Sequence, residues 1–282
     1  MTAKGAAMGQ KTKIAWCDST LSVSYGCSGC EISGHCYAER MCHRFPKRYP
    51  GLTQNGKWTG KIQLNEKGLD IPLHWNRPRK IFVNSCGDLF APGVSADYLA
   101  QVWEVMEKCP QHTFMILTKQ PKQMFENRRA GIPLKNVWLG VSVTDQKTAD
   151  QRTELLRQTP ATVSWISAEP LLAPITPNLE GIGWLVAGGE SGPGARPMRP
   201  EWVRSLRDQC QEAGVAFFFK SWGAWCYPEQ MPNETFRVQD AAVNFAGNPD
   251  YTKAWRVGAK RAGNLLDGRT WAQFPEVSKW AS

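Results

Sequence analysis

Lys80-Ile-Phe-Val-Asn-Ser85 is the first of a series of short apolar runs. It is followed by Thr113-Phe-Met-Ile-Leu-Thr118, Val137-Trp-Leu-Gly-Val-Ser-Val143, Val163-Ser-Trp-Ile-Ser167, Trp184-Leu-Val-Ala187 and Ala216-Phe-Phe-Phe-Lys220. The runs are rich in β-branched and aromatic residues and apolar on both alternations, the pattern of strands covered on both faces. Helical periodicity fills several of the gaps. Ser95 is placed to cap a helix over Ala96–Cys109, with Leu99, Val102, Trp103, Met106 and Cys109 on one stripe. Thr144 or Asp145 caps a helix containing Leu155 and Leu156. Pro200 opens one that buries Trp202, Val203, Leu206 and Cys210, and Gly214 closes it. Strands separated by helices imply parallel βαβ units. The expected fold class is α/β, a parallel (β/α) partial TIM-type barrel.

Polar and glycine residues gather directly after these runs. They are Asn84, Ser85 and Asp88; Thr118 and Lys119; Ser142, Thr144 and Asp145; Glu169; and Gly188, Gly189 and Glu190. In a parallel α/β barrel the carboxyl ends of the strands share one rim, where sites form. Gly188 and Gly189 would let backbone approach a ligand closely, and Glu190 would accept from an ammonium or hydroxyl. Lys119, Lys220, Arg196 and Arg199 add positive charge at or near the same positions. The expected domain layout is 1–222 for the barrel and 223–282 for a C-terminal extension carrying Trp225, Trp255, Trp271 and Trp280.

The whole chain sets outer limits. It has 282 residues, 42% of them hydrophobic, with 13 Trp and 11 Phe, which excludes general disorder. No apolar run approaches the ~20 residues of a membrane span. The opening residues are basic without an apolar segment, so no secretory signal is expected and a cytoplasmic location is. Lys and Arg outnumber Asp and Glu by 34 to 25, a net charge of +9 that suits a polyanionic partner. The irregular, basic segment Arg44–Arg79 is the candidate for phosphate contact.

Nine cysteines in an unsecreted chain point to burial, metal binding or reactivity rather than disulfides. Five of them crowd together: Cys17, Cys27, Cys30, Cys36 and Cys42. Close-spaced thiolates in glycine-rich sequence bind zinc or an iron–sulfur cluster. If a helix begins near Cys36, Cys42 lies about 240° around its axis and is expected to point away, while His43 is about 10 Å further along. That favours Cys27, Cys30 and Cys36 as three metal ligands. His35 and Cys17 stay open as a fourth ligand of a structural zinc. No His-Glu-x-x-His spacing exists for a zinc hydrolase.

Several strings carry a resemblance. They include Ile14-Ala-Trp16, Gly26-Cys27, Cys36-Tyr-Ala-Glu-Arg-Met41, Ile81-Phe-Val-Asn-Ser85, Asp88-Leu-Phe90 and Pro110-Gln-His-Thr-Phe114. Others are Leu117-Thr-Lys119, Asn136–Val143, Ser167-Ala-Glu-Pro-Leu-Leu172, Gly188–Pro197, Phe217-Phe-Phe-Lys220 and Leu265-Leu-Asp-Gly268. Together they span most of the chain, which resembles a phage-associated family of radical S-adenosylmethionine-like proteins with a three-cysteine motif, distantly like spore photoproduct lyase. The resemblance implies the radical SAM kind of partial barrel, a [4Fe–4S] cluster on three thiolates, and S-adenosyl-L-methionine on the fourth iron as source of a 5′-deoxyadenosyl radical. It implies Asn84, Ser85, Asp88, Ser142, Glu169, Gly188, Gly189 and Glu190 as contacts to that cofactor or to substrate. An external electron donor, and DNA or a modified nucleotide as substrate, go with it. The reaction would be an isomerase or lyase step, such as rearranging a side chain on hypermodified thymine in phage DNA, inside the host cytoplasm. Photoproduct lyase-like repair and a non-catalytic metal-stabilised nucleic-acid-binding protein are the alternatives. One departure stands out: the family spaces its cysteines Cys-x6-Cys-x2-Cys, and here they run Cys-x2-Cys-x5-Cys, so Cys30 is the ligand out of register.

Overall fold

The computed structural model describes residues 12–127, 133–227, 230, 242–244 and 253–276; the opening basic residues and Trp280 lie outside them. The apolar runs form one parallel sheet of seven strands in chain order. These are β1 (Ser19–Leu21), β2 (Lys80–Val83), β3 (Thr113–Thr118), β4 (Val137–Val143), β5 (Val163–Ala168), β6 (Trp184–Gly188) and β7 (Ala216–Ser221). The helices that follow strands are α2 (Ala96–Glu107), α3 (Pro121–Glu126), α4 (Gln146–Arg157) and α5 (Pro200–Glu212), while α1 (Tyr37–Arg44) lies in the long excursion between β1 and β2. Parallel strands in chain order, joined through helices except between β5 and β6, give the expected partial (β/α) barrel. Among the described residues no helix is long and apolar enough to cross a membrane.

Contacts divide the chain into two compact units. One runs through Val141 and includes Gln158–Ser164; the other comprises Ser142–Arg157 and Trp165–Glu276. In the first, β2 pairs with β1 from Ile81 opposite Ser19 and with β3 from Lys80 opposite Thr113. Ile81, Val83, Phe114, Met115 and Ile116 are fully buried, each contributing roughly 1.5–3 kcal/mol by leaving water. Ser95 caps α2 as expected, its hydroxyl accepting from Tyr98 N at 3.2 Å. The helix stops at Glu107, so Cys109 lies beyond it, though still buried. The run expected to reach Ser85 stops at Val83. Asn84 there takes φ 59°, a left-handed conformation that Asn tolerates and a strand does not.

In the second unit β6 pairs with β5 and β7. Trp165, Trp184, Phe217 and Phe219 are fully buried, and Trp184 lies 5.2 Å from both the Trp165 and Phe274 rings. Asp145 caps α4, its carboxylate accepting from Thr148 N at 2.8 Å. Trp202 on α5 is half-exposed rather than buried, with the Arg199 guanidinium 5.8 Å from its ring centre. The outer edge of β7 is covered by the chain near its end: Phe219 N donates to Trp271 O and Gln273 N to Phe217 O. Covering an edge this way removes a template for strand pairing between molecules.

Candidate functional site

The cysteine loop is set by two glycines. Gly26 (φ 100°) and Gly87 face each other in a parallel bridge that continues the β1–β2 pairing past the strand ends. Gly26 N donates to Cys86 O, and Asp88 N donates back to Gly26 O, each at 3.3 Å. A side chain at Gly26 would stand 2.3 Å from Lys61 O, and one at Gly87 would stand 2.9 Å from Gly26 O. Only glycine at both positions allows this approach, and it fixes Cys27 beside Asp88 at the carboxyl end of β2.

Six of the nine cysteines are buried: Cys17, Cys42, Cys86, Cys109, Cys210 and Cys226. Cys27, Cys30 and Cys36 are the three that are partly exposed. Cys27 and Cys30 lie within electrostatic reach of each other, as do Cys30 and Cys36. Burial and then the Asp88 carboxylate push the Cys27 thiol up to about 12. Burial also raises Cys30, against the Lys119 ammonium, which favours the thiolate at both positions. Among the described residues no three His, Cys, Asp or Glu side chains close into a metal-holding group. Cys17 precedes β1, at the opposite end of that strand from the Cys27 loop.

The loop's far side is tied down by Glu39, whose carboxylate is fully buried. It accepts from Gly34 N at 2.5 Å, from the Ser33 hydroxyl at 3.0 Å and from Trp58 N at 2.7 Å. Glu39 is the third residue of α1 after Cys36. A Glu at that position commonly reaches back over the helix start, and here it holds the turn that delivers Cys36. That spacing was the readable signal for a residue the sequence reasoning passed over.

Cys36 is the N-cap of α1 with extended backbone (φ −63°, ψ 125°), so helical angles do not apply to it. Cys42 accordingly does not turn away. Cys36 packs against a buried cluster that contains Cys42 and Cys86 with Tyr25, Tyr49 and Leu52. Burial pushes Cys42 up to about 12 and raises Cys86 as well.

The end of β2 is heavily cross-tied. Asn84 Oδ1 accepts from Val23 N at 2.8 Å and Ser24 N at 3.1 Å, and its amide donates to the Ser24 hydroxyl at 2.6 Å. Asp88 accepts from Phe90 N, from the Thr118 hydroxyl at 2.7 Å and from Lys119 N at 2.9 Å, joining the ends of β2 and β3. Ser85 places its hydroxyl 3.5 Å from the Cys86 sulfur, and its carbonyl accepts from the Tyr37 hydroxyl. Gln120 donates to the Ser28 hydroxyl at 3.0 Å, anchoring the loop's outer turn.

In the second unit the candidate residues bond to their own chain. Arg196 grips Glu190 through Nε and its backbone N on one oxygen and Nη2 on the other, each at 2.8 Å. Lys220 pairs with Glu169. Ser142 is buried, and its carbonyl accepts from Arg152 Nη1 at 2.7 Å. Gly188 O accepts from Leu171 N at 3.0 Å. Gly189 makes room for protein backbone, since a side chain there would meet Trp222 O at 2.1 Å.

A model for a family described as "Protein of unknown function (DUF5131)" matches residues 11–275. No curated protein matches the chain in sequence. Among solved structures the chain is similar to a spore photoproduct lyase double mutant with bound AdoMet and dinucleoside spore photoproduct, at 9% identity and TM-score 0.45, covering 90% of this chain and 72% of that one. It is also similar to spore photoproduct lyase complexed with dinucleoside spore photoproduct, at 10% identity and TM-score 0.43, covering 92% and 74%.

Proposed function

The chain belongs to that family, and we propose that it is a radical S-adenosylmethionine enzyme, of the isomerase or lyase class, acting on nucleic acid or a modified nucleobase. The observation that carries this reading is the sorting of the thiols. Of nine cysteines, the three that are not buried are Cys27, Cys30 and Cys36, strung on one glycine-rich loop. Buried structural thiols are inert, whereas ligand thiols need access.

The donor set fits an iron–sulfur cluster. Soft thiolates are its usual ligands. Thiols raised by burial and by a neighbouring carboxylate have most to gain from a bound cation, because metal binding releases their protons. When bound, such a cluster supplies the electron that reductively cleaves S-adenosyl-L-methionine. Cys27, Cys30 and Cys36 would hold it, and Lys119 offsets the charge of the first two thiolates. Asn84 and Asp88 keep the strand ends in register, and Asp88, near the Cys27 thiol, and Ser85, next to Cys86, are the polar groups proposed to meet the cofactor. Ser142, Glu169, Gly188, Gly189 and Glu190 are assigned to the cofactor or substrate. In this reading residues 1–222 form the catalytic module and 223–282 an extension, the reductant is external, and the protein works in the cytoplasm. The +9 charge supports a polyanionic substrate. The finer form of the proposal is rearrangement of a side chain on hypermodified thymine in phage DNA, with photoproduct reversal as the second reading.

Anaerobic reconstitution with iron and sulfide, followed by dithionite and S-adenosyl-L-methionine, tests the proposal. Brown protein that forms 5′-deoxyadenosine is expected. Stoichiometric zinc with no iron uptake and no 5′-deoxyadenosine would overturn it.

A further inference from the structure

We propose that the outer face from Tyr37 through Arg48 is a binding surface for unpaired nucleic acid, with Phe45 and Tyr37 stacking bases and Arg44 and Lys47 meeting phosphates. This rests on the functional reading above and adds to it the strandedness of the partner and the surface that takes it.

Charge is the first observation. Between Glu39 and Glu66 the sequence has six Lys and Arg and no Asp or Glu. Glu39 does not neutralise this stretch, since its carboxylate is buried and committed to Gly34, Ser33 and Trp58. His43 through Arg48 are all exposed, and among the described residues Arg44, Lys47, Lys57 and Lys61 form no ion pair. His43 and Arg44 suit the carboxyl end of α1 as dipole partners, but Lys47 and Arg48 lie beyond it.

Aromatic exposure is the second. The Tyr37 and Phe45 side chains, one at the start of α1 and one just past its end, are 55% and 50% exposed. Most of the other aromatic rings of this unit are buried, Tyr25, Tyr49, Phe82, Phe90 and Phe114 among them. The Arg44 guanidinium lies 5.5 Å from the Phe45 ring centre. A cation beside an exposed ring is the combination that single-stranded nucleic acid selects, because an unpaired base offers a π-face and its phosphate a charge. A duplex hides the face and offers only the charge. Tyr37 directly follows Cys36, so a base stacked there would stand next to the thiol loop.

Fluorescence anisotropy on the full-length protein, with a labelled single-stranded oligonucleotide and its duplex over a salt series, tests the proposal. Single-strand binding should be tighter than duplex binding and weaken with salt. Phe45→Ala should weaken it about tenfold with the salt slope unchanged, and Phe45→Tyr should restore it. Replacing both Arg44 and Lys47 with Ala should lower the log–log salt slope by about 1.4. Lys260→Ala, an exposed cation in the other unit, should change nothing. Equal affinity for duplex, no effect of Phe45→Ala in protein with an unchanged thermal melt, or tighter binding to phosphatidylserine vesicles than to the oligonucleotide would each overturn it. Iron content and 5′-deoxyadenosine formation, measured on the same preparations, separate the two readings. Normal values with no strand binding sink the surface alone, and strand binding without iron uptake sinks the enzyme alone.

Discussion

The loop that carries Cys27, Cys30 and Cys36 and the strand ends that carry Glu169, Gly188 and Glu190 both follow parallel strands, and both mix glycine with polar residues. They differ in what their reactive atoms are bonded to. At these strand ends the two carboxylates already have cations, Arg196 on Glu190 and Lys220 on Glu169. In the cysteine loop the backbone is tightly held, but Cys27 and Cys30 have acidic neighbours, opposed by the Lys119 ammonium and by backbone hydrogen bonds at Gly29 and Ile32. One region is a finished ion-pair arrangement. The other has rigid supports and two close thiols that share a single nearby ammonium, an arrangement that a bound cation would complete.

The largest effect expected from this contrast falls on the middle thiol. Cys30→Ala should abolish iron loading, because the loop then presents two accessible thiols in place of three. Cys42→Ala should keep most of the iron and lose about 1 kcal/mol of stability through a small core void. Iron per chain after identical anaerobic reconstitution checks both. The contact of Cys36 with the Cys42 and Cys86 cluster makes the comparison sharper. Should Cys42→Ala lose the iron while Cys30→Ala retains it, the ligands lie on the inner side of Cys36 and the loop has another purpose.

The next effect concerns the support rather than the donors. Glu39→Ala leaves the Gly34 and Trp58 amides and the Ser33 hydroxyl without their acceptor. A destabilisation of about 2–4 kcal/mol is expected, with iron loading reduced as well. Urea unfolding gives the first quantity and iron content of the folded fraction the second. If stability falls and loading does not, Glu39 serves the fold alone and the turn before Cys36 need not be preset.

How much of this was legible in the sequence depends on the range of the interaction that decides it. The strands over 113–118 and 137–143 and the Ser95 cap follow from local pattern, and the structure has them at those residues. The glycine-rich spacing that singles out Cys27, Cys30 and Cys36 as candidate ligands is also a local property, and these are the three partly exposed thiols. The direction of Cys42 is not. A helix wheel points it away only if Cys36 is itself helical, and Cys36 is an extended cap. The partner of Gly189 is the backbone at Trp222, and the partner of Gly26 is the backbone at Lys61. Such approaches depend on how distant segments pack, and no periodicity in the chain encodes them. Nothing local distinguishes a carboxylate already gripped by Arg196 from one that is open.

The smallest effect should come from the satisfied region, and it is the one that tests the contrast as a contrast. Glu190→Gln keeps the side chain's shape and one acceptor oxygen but removes the charge that Arg196 grips at two points. Glu190 is 5% exposed, which argues for a strong pair, while the Arg196 side chain is 40% exposed, so solvent screens its half of the interaction. The expected loss is therefore about 1–2 kcal/mol, below the cost of stranding a fully buried charge. Added salt should narrow the gap between wild type and variant, since screening weakens only the charged pair. Iron loading should be unchanged, because Glu190 has its partner within its own unit and none of the three accessible thiols belongs to that unit. Chemical denaturation of both proteins at low and high salt, with iron content alongside, reads all three quantities. A variant that keeps its stability but loses iron would mean that Glu190 exchanges Arg196 for a ligand, and the division into a finished region and a receptive one would fail.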